Sequence, residues 1–371
     1  MTAMRSLLAA AVAVAAAAVH SLAAGPHTET IYSHANTTVA AFAQDGPLVA
    51  WFAPSRNRCN TVHVISLANP LRTTLPLQGI ARNVTCRWVV GSTPVSLALA
   101  GGNVLWTLQE RSPIPFDYLL GAGVGVGERK ERRFQEIAHT NHGSGLWLGG
   151  ISGDGTTLVY SVTAVDYVDE AGCLAGTSPC DLEVSGGGVY RMAGRQPPKL
   201  ITGTGPDGAV EVSASAGAVA YVPAAGTGKQ GRPLAGADLP IEIVDAQTGA
   251  SISHVDPQGT PLAIALTPHV LATLERTPLG LRLAWYDQAT GMADGSVPVA
   301  TKTSPELTAT DSTIVYRVGR SIRAVDVQTH NVRTLALAAA DPVGLSLEGR
   351  RLAWAENLKT SARIRALTVK P

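Results

Sequence analysis

The side chains able to do chemistry fall in four stretches of this 371-residue chain. His139-Thr140-Asn141-His142 sets two imidazoles three residues apart. On a helix that spacing would offer both to one metal ion, but the flanking residues read as strand or loop end, where such rings meet water. The glycine run GAGVGVGER (121–129) suggests a phosphate cradle and fails on spacing. A G-x-G-x-x-G begun at Gly121 meets Val126, and one begun at Gly123 meets Glu128, so the run reads as a turn between strands. HGSGL (142–146) only approaches the Gly-x-Ser-x-Gly of a nucleophile elbow, which leaves a prolyl-peptidase-like enzyme without its nucleophile. The segment Thr163 to Gly188 holds Asp166, Asp169, Glu170, Asp181 and Glu183 and no Lys or Arg, a local charge of −5. Oxygen-rich loops can take Ca²⁺, but the EF-hand spacing is missing and the basic run ERKERR (128–133) could face the acids. A solvated acidic loop is the expectation. No catalytic set, cofactor or metal site is expected from these stretches.

The elements that must carry these residues are repeats. A short alternating segment, a turn, and a run of Val, Leu and Ala with Trp or Tyr recur at 40–52, 96–108, 149–161, 212–222, 263–274, 306–317 and 344–355. Each copy reads as a β-hairpin, with Asp45-Gly46, Gly101-Gly102 and Asp154-Gly155 supplying residues that tolerate positive φ. Alternating segments ending in Asp and a Thr-Gly or Thr-His turn follow at 240–249, 281–291 and 321–330, with degenerate copies at 62–70 and 189–197. There Asp and Gly serve the turn rather than chemistry. Four short strands per unit, at a period near 40 with insertions, predict a radially closed array of sheets. The last unit has three clear strands, ending at 363–369, so TETIYSH (28–34) is expected to supply its fourth. An unpaired N-terminus is the alternative.

The strand pairs ISGDGTTLVYS and LSLEGRRLAWA, with the IVDAQTG type of strand end, resemble the blades of the TolB-like and WD40-like β-propeller group. The resemblance covers most of the chain and implies an all-β, seven-bladed β-propeller, with six or eight blades as alternatives. The TolB-type hairpin has a Ser-Pro-Asp-Gly turn, whereas this chain has Ser152-Gly153-Asp154-Gly155 and Ser346-Leu347-Glu348-Gly349. TolB itself has six blades behind an α/β domain for which there is no room here. Its partner-binding role therefore implies only a class: protein or ligand binding in an exported compartment.

Residues 1–23 read as a secretory signal peptide. Arg5 precedes a 13-residue apolar run, Leu7 to Val19, too short to span a membrane, and Ser21 and Ala23 suit cleavage. Residues 24–371 then form a single propeller domain, secreted or periplasmic at the cell envelope, with no membrane span after signal removal. Loss of Arg5 leaves 28 basic against 28 acidic residues, which removes the electrostatic case for nucleic acid. Cys59, Cys86, Cys173 and Cys180 all lie in the exported part, where disulfides persist, and the pairings favoured are Cys59 with Cys86 and Cys173 with Cys180.

Long connections at 162–188 and 223–239, and near 109–115, should emerge on one face of the disc and wall off a binding surface. Trp106, Phe116, Tyr118, Asp166, Tyr167 and Asp169 are the candidate binding-face residues. The expected function is a non-catalytic module binding an unidentified protein or small-molecule ligand. The alternative is a propeller enzyme, a metal-assisted lyase or lactone hydrolase, with His, Asp or Glu converging at the central channel.

Overall fold

The computed structural model describes residues 28–54, 60–67, 93–109, 117–123, 132–141, 144–192, 197–202 and 208–370. Their regular structure is almost wholly β. The N-terminal strand β1 (Thr28–Ala35) precedes a three-stranded sheet of β2 (Phe42–Asp45), β3 (Leu48–Pro54) and β4 (Asn60–Ser66). A run of eight strands follows: β5 (Thr93–Ala100), β6 (Asn103–Gln109), β7 (Asp117–Gly123), β8 (Arg132–Asn141), β9 (Ser144–Asp154), β10 (Thr157–Tyr167), β11 (Leu182–Met192) and β12 (Lys199–Thr202). Its two halves join only where Thr140 and Asn141 of β8 face Gly145 and Ser144 of β9. The next sheet contains β13 (Ala209–Ser215), β14 (Ala218–Thr227), the short β15 (Pro233–Ala235), β16 (Ile241–Asp245) and β17 (Ser251–Val255). Four-stranded meanders complete the chain: β18 (Thr260–Leu266) to β21 (Ala293–Val299), then β22 (Thr303–Thr310) to β25 (Val332–Leu337) through β23 (Thr313–Val318) and β24 (Ser321–Asp326). Between β18 and β21 run β19 (Val270–Thr277) and β20 (Gly280–Asp287), and the final sheet is β26 (Pro342–Glu348), β27 (Arg351–Asn357) and β28 (Ser361–Thr368) with β1 at its edge.

The repeated apolar runs explain the arrangement. Side chains alternate across a strand, so a run without polar interruption must bury both faces of its sheet. In β3, Ala50 and Phe52 pack against Leu97, Leu99, Val104 and Trp106 of the following sheet, while Val49, Trp51 and Ala53 pack against Ala353, Ala355 and Ile364 of the final one. The same division holds in β14, where Val219 and Tyr221 meet Val159 and Val189 while Ala220 and Val222 meet Leu271 and Tyr286. Each sheet is thus sandwiched between two neighbours, and the innermost strands β2, β5, β9, β13, β18, β22 and β26 follow one another around a central channel, β26 returning to β2.

The N-terminal strand closes the ring as expected. β1 pairs antiparallel with β28 from Thr28↔Leu367 to Ala35↔Ser361, with one irregularity between Thr30 and Tyr32. Asn357 locks the closure from β27: its Oδ1 accepts from the Val39 N–H at 2.8 Å and its Nδ2 donates to the Val39 carbonyl at 2.9 Å.

The Asp-x-x-Thr strand ends are turns, as the sequence suggests. Oδ1 of Asp245, Asp287 and Asp326 each accepts from the backbone N–H and hydroxyl of the Thr three residues on. These bonds hold the three carboxyls below the usual carboxylate pKa. At the next residue the chain turns through positive φ at Gly249 (75°) and Gly291 (72°), and His330 takes the same conformation (59°). A Cβ at Gly291 would lie 1.9 Å from the His254 carbonyl oxygen, so glycine is dictated there by contact as well as by φ.

Two expectations change. The connection at 162–188 is not simply a loop: β10 runs on to Tyr167 and β11 begins at Leu182, forming a ladder that projects beyond the disc and ends in helix α1 (Glu170–Ala175). Within that ladder Gly186, Gly187 and Gly188 pair with Ala164, Thr163 and Val162. Gly121 to Gly123 of the glycine run finish strand β7, paired with Phe134 to Arg132, and the rest of the run, 124–129, lies outside the described residues. Cys173 and Cys180 are bridged across the end of α1. Cys59 and Cys86 lie outside the described residues, as do the signal segment and its cleavage site.

Candidate functional site: the central channel and its long-loop face

The inner strands enclose a cavity of about 1530 Å³. These strands have no ladder to one another, so polar side chains tie them together. Ser152 Oγ accepts from Ala214 N–H at 3.0 Å, Ser213 Oγ from Leu266 N–H at 2.9 Å, and Thr308 Oγ1 from Leu347 N–H at 3.0 Å. Gln44 closes the circle by donating to the Ser346 carbonyl at 2.7 Å. Ser152, Ser213 and Thr308 occupy one position of the repeat, as aligning ISGD, VSAS and LTAT makes plain.

At one mouth of the channel the hairpin turns do the same with carboxylates. Asp45 accepts from Gly101 N–H, Asp154 from Ala216 N–H, and Asp311 from both the Thr267 hydroxyl (2.6 Å) and His269 N–H (3.0 Å). Each bond crosses to an adjoining sheet. Burial raises the pKa of Asp45 and Glu348 at this mouth, and the neighbouring acid charges add to the rise.

The other mouth carries the long connections. β14 continues past the disc to Thr227, turns back through Lys229–Gly231, and returns as β15, which pairs with Ala224, Gly226 and Thr227. Thr227 Oγ1 donates to the Leu182 carbonyl at 2.6 Å, which fastens this arm to the projecting β10–β11 ladder. Lys229, Arg232, Leu234 and Ala235 of the arm line the channel mouth. The connections at 162–188 and 223–239 thus share one face, and residues 110–115 of the third lie outside the described residues.

Glu211 of β13 lines the cavity beneath this arm. Two positions before Ser213, it occupies the repeat position that is Gly150 in β9 and Glu306 in β22. Glu306 is paired with Arg317 at 2.7 Å. Glu211 instead sits against β9, where a Cβ at Gly150 would come within 2.9 Å of its Oε2 and 2.8 Å of Val212 N. Glycine at 150 is what gives the carboxyl its niche. Burial pushes the Glu211 carboxyl up to about 7, with the Arg232 charge opposing the rise. A carboxyl held above its unfolded value keeps its proton in the folded state, so its contribution to stability is fully present below pH 4.5 and declines as pH rises through 7. The channel admits water, which keeps the effect below a full conversion of the shift. Glu211→Gln should therefore stabilise the chain by about 2 kcal/mol at pH 8 and change little at pH 4.5. Urea midpoints at the two pH values check this, and equal changes at both would contradict it.

The candidate face residues divide. Trp106 is wrong for a contact surface: it is 0% exposed in the layer between β3 and β6, because it shares a strand face with Val104. Phe116 lies outside the described residues, and Tyr118 stands in β7 opposite Gln109 and Ala138. Asp166, Tyr167 and Asp169 are brought together at the end of the projecting ladder. There Asp166 is exposed opposite Glu183, Tyr167 faces Leu182, and Asp169 caps α1 by accepting from Gly172 N–H at 2.9 Å and Ser178 Oγ at 2.9 Å. His139 lies within β8, whereas His142 lies outside the described residues. Among the described residues no three His, Cys, Asp or Glu side chains converge as a metal-ligand set. Sequence reading missed Glu211 and the Ser, Thr and Asp ties, although the aligned copies contain the signal.

No family model matches the chain, and no curated protein matches it in sequence. In structure, 88% of it superposes on 45% of a chain from a structural and mechanistic analysis of two prolyl endopeptidases, with a TM-score of 0.53 and 13% identity. Sqt1 of Saccharomyces cerevisiae superposes at TM-score 0.48 and 9% identity, over 94% of this chain and 100% of that one. The AfRom2 CNH domain does so at 0.47 and 12%, over 93% and 100%. The chain spans less than half the length of the endopeptidase, and identities this low bear on fold alone. The ring of antiparallel sheets around the channel is that of a β-propeller, and the endopeptidase likeness agrees with it at the level of fold.

Proposed function

We propose that this is an exported, non-catalytic propeller of seven blades, released from residues 1–23, that binds a protein or small-molecule ligand at the long-loop face and channel mouth. Seven inner strands in succession around the cavity support the blade number. The TolB-type hairpin motifs support a place near that group within the propellers. The observation that carries the binding reading is the joined pair of arms, the β10–β11 ladder and the β14–β15 turn, bonded through Thr227 and Leu182 over a cavity of about 1530 Å³. Ordered long connections of this kind are more often functional than not. The Cys173–Cys180 bridge is compatible with an oxidising compartment.

The test is native mass spectrometry of the chain purified from the envelope and culture fluid of its producing cells. The mature mass should begin at Ala24 and carry a bound species that is lost when residues 225–238 are replaced by a short Gly-Ser turn. An uncleaved chain confined to the cytosol, or retention of the same species without the arm, contradicts the reading.

One observation favours the enzyme alternative. Glu211 is a channel carboxyl with a pKa near neutrality, the property of a general acid or base. Turnover of a lactone or another hydrolysable substrate by the wild-type chain, abolished in Glu211→Gln, would establish that alternative. Of the other channel acids, Glu306 pairs with Arg317, Asp154 and Asp311 hold adjoining turns, and Glu348 accepts from the Gly46 N–H.

A further inference from the structure

Among the described residues, the projecting end of the β10–β11 ladder exposes large apolar side chains on a braced frame. Leu174 of α1 is 79% exposed, Val168 60%, and Leu234 of the adjoining arm 49%. The frame is fixed by the Cys173–Cys180 bridge, the Asp169 cap, the Val168 N–H bond to the Asp181 carbonyl (3.0 Å), and the Thr227–Leu182 bond that joins the arms. Apolar groups held outward on rigid backbone lose little conformational freedom when covered, which suits them to docking.

Charge identifies what covers them. Asp166, Asp169, Glu170, Asp181 and Glu183 are all exposed around these side chains, and the segment 163–188 contains no cation. Lys229 and Arg232 of the neighbouring arm line the channel mouth. These acids repel an acidic partner and attract and steer a basic one. We infer that the end of the β10–β11 ladder docks a basic polypeptide segment that presents apolar side chains to Val168, Leu174 and Leu234. This deepens the binding reading above, on which it rests, by naming a surface and the chemistry of its partner.

The experiment uses the full mature chain and a fluorescein-labelled 12-residue peptide of alternating Lys and Leu, with peptides of alternating Lys and Ser and of alternating Glu and Leu as comparisons. Fluorescence anisotropy should show saturable binding of the Lys-Leu peptide, about tenfold weaker binding of each comparison, and weakening as salt shortens the screening length from about 30 to 10 Å. Val168→Ser with Leu174→Ser should lose about tenfold, and so should Asp166→Asn with Glu170→Gln, Asp181→Asn and Glu183→Gln. Both variants leave the disulfide and the Asp169 cap in place, and unchanged melting curves establish that they fold. Met292→Ser, after the Asp287 turn, should bind as wild type. Absence of saturable binding, binding indifferent to either variant, or loss in the charge variant alone overturns the inference. A failure here leaves the binding reading standing if the species bound in native mass spectrometry still depends on the 225–238 arm.

Discussion

Deletion of residues 24–36 is expected to lower stability by about 5 kcal/mol and the melting temperature by roughly 10 °C, with aggregation on standing. The deletion removes the β1–β28 ladder, the cover that Ile31 and Tyr32 give the layer around Trp51, and the Asn36 N–H bond to the Thr360 carbonyl. It leaves β28 as an unpaired edge, a template for pairing with another chain. The Asn357 bonds to Val39 survive, so the loss falls short of opening the ring outright. A synthetic peptide of residues 24–36 added in trans should restore part of the melting temperature. A truncated chain that melts with the full mature chain would show that β1 is not what closes the array.

The second large effect concerns a buried charge. Glu275 on β19 is 0% exposed and accepts from Thr273 Oγ1 (2.6 Å), Tyr286 OH (2.6 Å) and Arg282 Nε (2.8 Å), Arg282 being its cross-strand neighbour on β20. Arg282→Met removes the one countercharge that the described residues pair with Glu275 and should cost about 3–5 kcal/mol. Replacing both, Glu275→Leu with Arg282→Met, should recover much of that, because the carboxylate that lacked a partner is gone. Urea unfolding of the two variants reads the difference. A single variant within about 1 kcal/mol of wild type would mean that the tyrosine and threonine hydroxyls suffice. The final sheet repeats the device, with Glu356 accepting from Trp354 Nε1 (2.9 Å) and Arg363 Nε (2.6 Å). Burial works against ionisation of Glu356, yet those bonds leave its pKa below the usual value.

What could be read from the sequence, and what could not, follows from the range of each interaction. Hairpins such as GLSLEGRRLAWA were legible because turn residues and strand alternation are local, and an apolar run such as LAWA announces a strand buried on both faces. The pairing of TETIYSH with RIRALTV was legible only by counting strands, since the partners stand more than 300 residues apart. Trp106 was misread because an aromatic near a long connection looks like a contact anchor, while its strand face, shared with Val104, places it in the core. The β10–β11 ladder was hidden because Gly186 to Gly188 carry no strand signal. They pair because the backbone of Val162 to Ala164 lies beside them. Glu211 had a signal only in the aligned copies, where it stands with Gly150 and Glu306. Its unusual pKa arises from β9, some 60 residues away, where Gly150 makes the niche.

Ligands should be taken on the face bearing the long arms. The most direct measurement places a photo-activated crosslinking residue at Leu234 in one chain and at Met292, beyond the Asp287 turn on the opposite face, in another, both produced in the native cells. The account predicts a discrete adduct from position 234 and none from 292. Adducts from 292, or equal yields from both positions, would contradict it.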